Sequence, residues 1–235
     1  MAREYAECYV AVLDLLGFKN KIKTSSCEEI ASIYDKMREN YYVRKDNKLL
    51  IDAGELHQMI LSDTIVFYIK TTVKNALVAL IATCSFFQIE LLSVKEPILL
   101  RGAIVKGDIY REGSIVFGQG IVDAHLLEEN VAKYPRIILQ KKIVKEYTDF
   151  DKEVSDFKDW FLFEDFDLFY SIDYLFQFYD MRGGKDSWEN FTKRVYDVID
   201  GEISTAIREK YIYVYDLIGR AIDKHRDYGN NNKLN

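Results

Sequence analysis

Proline is scarce in this sequence. The 235 residues hold two, Pro97 and Pro135, beside twelve glycines. That composition, with no internal repeat, excludes a collagen-like or low-complexity chain. Cysteine is scarce too: Cys8, Cys27 and Cys84 are odd in number and far apart, with no Cys-x-x-Cys. Each lies in an apolar or helical context, so they read as buried reduced thiols of a cytoplasmic protein and not as a disulfide framework. The three histidines, His57, His125 and His225, lack metal-ligand spacing. His57 reads as a strand-surface residue, His225 as a helix-end residue, and His125 as a candidate to face a partner subunit. No apolar run reaches the roughly 20 residues of a membrane span without a Lys, Glu or Asp, and no signal peptide is expected. Excess basic charge is also missing. Lys and Arg number 32 against 38 Asp and Glu, a net charge of −6. Nucleic acid and anionic membrane are therefore not expected partners. A single nucleotide held through metal ions is still compatible with that charge.

What is present is ordinary globular material, 49% hydrophobic and 30% charged. Cys8 to Phe18 is a short apolar run ended by Gly17, and it reads as a central strand. Ser25-Ser26-Cys27-Glu28-Glu29 starts a helix, with Ser at the cap and acids in the first turn. Residues 49–57 and 61–69 suggest an antiparallel hairpin. Ala76 to Leu92 is apolar on nearly every face and predicts a buried helix. Strands are predicted over 98–104, 114–117 and 136–140, and a helix from Ile121 to about Lys133. Gly102 and Gly107 mark places where backbone passes close to something. The alternation favours an α+β class, a sheet with helices on one face. The predicted organisation is an α+β domain over 1–147, an aromatic, mainly helical extension over 148–228, and a frayed tail over 229–235. A break is expected at Asp200-Gly201.

Chemistry centres on two aspartates. Asp14 interrupts the strand Val10-Ala11-Val12-Leu13-Asp14-Leu15-Leu16, and an isolated buried carboxylate costs several kcal/mol unless paired, hydrogen-bonded or metal-bound. Asp63 opens the run Ile65-Val66-Phe67-Tyr68-Ile69 in the same way. Two readings stand. Either both are turn residues, or they meet at one sheet end as ligands for Mg²⁺ or Mn²⁺, completed by a phosphate chain. Gly118-Gln119-Gly120 lacks the third glycine and the βαβ setting of a dinucleotide fingerprint. Ser62 has no nucleophile-elbow motif.

Leu13-Asp14-Leu15-Leu16-Gly17-Phe18 resembles the Asp-Ile-x-Gly-Phe strand end of class III nucleotidyl cyclases. Leu61-Ser62-Asp63-Thr64-Ile65-Val66-Phe67 resembles their second metal strand, and Leu100-Arg101-Gly102-Ala103-Ile104-Val105-Lys106-Gly107 their Arg-x-Gly-Ile-x-x-Gly strand. Phe117-Gly118, Ala124 and Glu128 fit their Trp-Gly-x-x-Val-Asn-x-Ala-x-Arg-x-Glu helix without a gap. The similarity covers roughly residues 7–140. It implies a ferredoxin-like core with an antiparallel-rich sheet and a helical carboxy-terminal extension. It also implies a head-to-tail homodimer with nucleoside triphosphate sites at the interface. Asp14 and Asp63 would bind two divalent ions, and the backbone around Leu15, Leu16, Gly17 and Phe18 would cradle phosphates. A ribose 3′-hydroxyl would attack the α-phosphorus and release pyrophosphate. The sequence departs from the pattern where the family has its transition-state Asn and Arg, which fall on Val122 and Leu126. Its purine-selecting acid falls near Ile115. None of these can donate a hydrogen bond or read a base by charge. Arg101, Lys106, Asp123, His125 and Arg136 are the candidate replacements. The alternative is a catalytically degenerate nucleotide-binding dimer. The divergent pyrimidine cyclases of bacterial anti-phage signalling are a further similarity.

Overall fold

The computed structural model describes residues 3–35, 55–94, 96–148, 158–181 and 185–231. Strand β1 (Ala6–Leu15) is an interior strand of an eight-stranded sheet. Two antiparallel neighbours flank it: β3 (Thr64–Lys70), which continues to the edge strand β2 (His57–Leu61), and β4 (Leu100–Glu112). Helices α1 (Phe18–Thr24) and α2 (27–35) follow β1. β5 (Ile115–Phe117) folds back on the far end of β4, and β6 (Ile137–Leu139) lies parallel to the start of β4.

β1 shows why the sheet is covered on both sides. Its residues alternate between faces. Tyr9, Ala11, Leu13 and Leu15 pack with α3 (Ala76–Leu92), while Cys8, Val10 and Val12 pack with Val66, Val105 and Ala124 of α4 (Gln119–Asn130). A strand apolar on both faces needs cover on both. The expectation of helices on one face is corrected accordingly. α4 approaches closely because glycines meet: a Cβ on Gly107 would lie 2.7 Å from the Gly120 Cα.

The hairpin is real but shifted. β2 starts at His57, and the turn is the two residues Ser62-Asp63, with Ser62 left-handed at φ 55°. The predicted strand over 49–57 falls almost wholly outside the described residues. Cys8 and Cys84 are buried, and burial pushes the Cys8 thiol up to about 11. Cys27 is exposed, a correction to the reading of three buried thiols; it sits in the first turn of α2, a solvent-facing helix.

The last third is built onto the same core. After α5 (Lys141–Thr148) and a single helical turn α6 (158–161), β7 (Leu162–Glu164) and β8 (Tyr170–Ile172) extend the sheet, β8 antiparallel to β6. Helices α7 (Tyr174–Met181), α8 (Lys185–Asp200) and α9 (Thr205–Asn231) follow, with the break at Gly201 where the sequence places it. Phe176, Phe191 and Val214 share one buried cluster with Leu13 and Phe67. The extension is thus helical but carries two strands, and α9 runs past Gly229, where a frayed tail is expected.

Candidate active site

The alternation that buries β1 also sets the site. Asp14 shares the α4 face with Val10 and Val12, and Arg101 shares it with Val105. In register, Asp14 lies opposite Arg101 on one side and Thr64 on the other. Arg101 Nε lies 3.2 Å from Asp14 Oδ2 and 2.6 Å from Glu128 Oε1, on α4. The side chains of Asp14 and Arg101 are 24% and 23% exposed, and that of Glu128 is 3%. Asp14 is therefore paired, and only partly buried. Burial raises the pKa of Glu128; Arg101 opposes the rise and Asp14 adds to it.

Asp63 is carried to the same sheet end by the hairpin turn. The Leu15 N–H donates to the Asp63 carbonyl at 2.9 Å, tying the residue after Asp14 to the turn. Tyr34 of α2 donates its hydroxyl to the Ser62 carbonyl at 2.6 Å and holds the turn from outside. Its pKa is raised by burial and then by the Asp63 charge. The Leu16 N–H donates to the Leu99 carbonyl at 2.9 Å. The amides of Leu15 and Leu16 are thus spent on backbone carbonyls at the sheet end and are withdrawn as phosphate donors. Gly17 turns the chain at φ 77°, and Phe18 opens α1 with its ring buried.

Asp14 and Asp63 are hard oxygen donors that backbone pairing brings to one sheet end. Among the described residues, no group of three or more His, Cys, Asp and Glu is placed to hold a metal. Two carboxylates, with water and phosphate oxygens filling the other positions, suit Mg²⁺ or Mn²⁺, which keep part of their shell outside the protein. The residues fit such an ion.

The other candidates fall in different places. Lys106 lies five residues along β4 from Arg101, about 17 Å at strand rise. There it pairs with Glu7 at 3.1 Å and Glu146 at 3.4 Å, and the hydrogen bond to Glu7 helps raise its pKa. It shares a cleft of about 320 Å³ with Asp123, Leu126, Gln140 and Lys142. Asp123 accepts a hydrogen bond from Gln119 at 2.8 Å. Val122 and Leu126 are 48% and 49% exposed on α4, and Ile115 is 57% exposed on β5. His125 is exposed, its Nδ1 3.7 Å from Glu128 Oε2.

Arg136 is corrected as a catalytic candidate. It is 1% exposed, and Asp165 at 2.8 Å and Asp167 at 2.5 Å take its guanidinium. Its one unpaired donor, Nε, is buried and out of a phosphate's reach. Sequence reasoning missed Tyr34, Gln140 and Lys142, which no motif marks. Glu128 entered only as a pattern match.

The fold is that of guanylyl cyclase catalytic domains. A monomeric guanylyl cyclase domain of the RhoGC fusion protein from the aquatic fungus Blastocladiella emersonii superposes with TM-score 0.54 at 12% identity, over 73% of this chain and 98% of that one. A non-canonical dimeric form of the same fungal domain gives 0.50 at 12%, over 72% and 97%. The catalytic core of a rhodopsin-guanylyl cyclase with converted specificity, in complex with ATPαS, gives 0.50 at 12%, over 72% and 95%. No protein-family model and no curated protein matches the sequence. Among the described residues, no helix is long and apolar enough to cross a membrane.

Proposed function

We propose that this protein is a metal-dependent nucleotide cyclase acting as a homodimer. It converts a nucleoside triphosphate to a 3′,5′-cyclic nucleotide and pyrophosphate. The observation that carries this reading is the pairing of Asp14 with the Asp63 turn at one end of a cyclase sheet. Asp14 and Asp63 would hold the divalent ions. When bound, these ions lower the pKa of the ribose 3′-hydroxyl and neutralise charge on the triphosphate. The 3′-oxygen forms a bond to the α-phosphorus, the bond to the bridging β-phosphate oxygen breaks, and the hydroxyl proton passes to solvent. Gly17 and Phe18 turn the chain beside the phosphates. The cleft of Lys106, Asp123 and Gln140 lies too far along β4 to serve Asp14 of its own chain. It supports a site completed by a second copy, with Val122 and Leu126 in the contact between them.

Incubation of the protein with Mn²⁺ and each of ATP, GTP, CTP and UTP tests the reading. Ile115 offers no charge to select a purine, so the pyrimidines carry equal weight. A cyclic mononucleotide from at least one is expected, and none from any overturns it. Val122 and Leu126 favour a second reading, a degenerate cyclase that binds nucleotide without turnover. A lost transition-state donor costs about 10² to 10³ in rate. Saturable nucleotide binding with no product would establish that reading.

A further inference from the structure

We propose that Arg101 guards the metal position: it holds Asp14 until a cation displaces it, and Glu128 is the buried anchor onto which it then settles. The inference rests on the reading of Asp14 as a metal ligand. A guanidinium and a divalent cation cannot both occupy the same carboxylate oxygen without strong repulsion. The Arg101 Nε stands 3.2 Å from Asp14 and 2.6 Å from Glu128, so one charge serves two acids. The acids differ in depth. Asp14 faces the opening, whereas Glu128 is 3% exposed and cannot turn to water.

Glu128 is also incompletely satisfied. Its buried Oε1 has no aligned hydrogen bond, despite the short approach of Arg101. A buried acceptor left unmade is costly, so an arginine released from Asp14 gains by turning inward. His125, 3.7 Å from Glu128 Oε2, is a further ionisable neighbour, and it is exposed. The exchange is confined to side chains because the backbone there is jammed. A Cβ on Gly102 would meet Leu13 Cδ2 at 2.5 Å and the Val12 oxygen at 2.7 Å. Arg101 is thus a positioning residue that sets the threshold for cation binding, and Glu128 acts through it.

The test is titration of the whole chain with Mn²⁺ alone, read as the free-ion paramagnetic resonance signal. Arg101→Gln should tighten Mn²⁺ binding roughly tenfold, the scale on which one adjacent guanidinium shifts a carboxylate equilibrium. Arg101→Lys, which keeps the charge, should stay near wild type. Glu128→Gln should weaken binding, because Arg101 then has only Asp14. In the Arg101→Gln background, Glu128→Gln should change nothing. An equal effect of Glu128→Gln in both backgrounds would mean that Glu128 acts directly on the ion, and would overturn the proposal. So would unchanged or weaker binding in Arg101→Gln. If Glu128→Gln fails to fold, the contrast between Arg101→Gln and Arg101→Lys decides alone. Loss of binding in Asp14→Asn, with no gain in Arg101→Gln, sinks the guard and leaves the metal reading intact. Binding unaffected by Asp14→Asn sinks both, as does the absence of Mn²⁺ binding in every variant.

Discussion

Two arginines at neighbouring strand ends each stand between two carboxylates, and they serve opposite ends. Arg136 precedes β6 and is sealed: 1% exposed, with Asp165 and Asp167 on its guanidinium and the Phe166 ring 4.9 Å away. Arg101 opens β4 and is 23% exposed, with Asp14 on its solvent side. Their backbones touch, since the Gly102 N–H donates to the Arg136 carbonyl at 2.9 Å. The difference is what surrounds them. Aromatic rings and the Tyr213 hydroxyl close the first and tie the core to the extension. The second is left open at the sheet end where Asp63 arrives. An enclosed ion pair is structural because separating it strands a charge. An open one can exchange partners.

That contrast is sharpened first by the largest expected effect. Asp14→Asn or Asp63→Asn should lower turnover by at least about 10³, because the ions are asked to supply several kcal/mol. The fold should persist by circular dichroism. Full activity in either variant would remove the open site from the account. Asp14 is paired with Arg101, so its loss also frees that side chain to turn to Glu128, and the cost to stability stays small.

The next effect belongs to the sealed pair. Arg136→Met leaves Asp165 and Asp167 without their cation and should cost about 3–5 kcal/mol in urea unfolding. Arg101→Gln should cost under about 2 kcal/mol, since Asp14 can turn to water and Glu128, which burial already pushes toward its neutral form, can take up a proton. Equal costs would erase the distinction between the two arginines.

Acid should separate them further. Burial pushes the Asp165 pKa up, but hydrogen bonds from Tyr213, Arg136 and the Phe166 amide outweigh it and hold the value below the ordinary 3.8. A depressed carboxylate contributes stability that is fully present above its unfolded value and is lost as pH falls through the folded one. Unfolding midpoints should therefore drop below about pH 4 in wild type. The drop should be smaller in Arg136→Met, whose Asp165 has lost that partner. An identical acid profile would contradict the assignment.

The smallest effect concerns association. Val122→Asp and Leu126→Asp place charge on the exposed apolar face of α4. They should shift a homodimer toward monomer in sedimentation while leaving melting unchanged. A stable interface needs about 1,200 Å² in total, so loss of two central apolar side chains is felt. A wild-type monomer unchanged by nucleotide and Mn²⁺ would remove the shared site.

The sequence made the open cluster partly legible and the sealed one not at all. Asp14 and Asp63 stand out because an acid inside an apolar run is physically conspicuous, and the strand over Cys8–Phe18 and the buried helix Ala76–Leu92 follow from continuous apolar runs. The register between β1 and β4, which brings Arg101 to Asp14, is set by pairing across 87 positions of chain and leaves no local mark. Arg136 looked like a free cation because its partners Asp165 and Asp167 lie 29 and 31 residues away in the chain. β7 and β8 were missed because three-residue strands carry too little alternation to show.

The most direct test of the central claim is the identity of the product formed by wild-type protein with Mn²⁺ and its preferred nucleoside triphosphate. Attack by the ribose hydroxyl releases pyrophosphate and leaves a nucleotide lighter by one water than the linear monophosphate. The account predicts cyclic nucleotide and pyrophosphate in equal amounts by mass spectrometry, both absent in Asp63→Asn. Linear monophosphate as the primary product, or cyclic product persisting in Asp63→Asn, would contradict it.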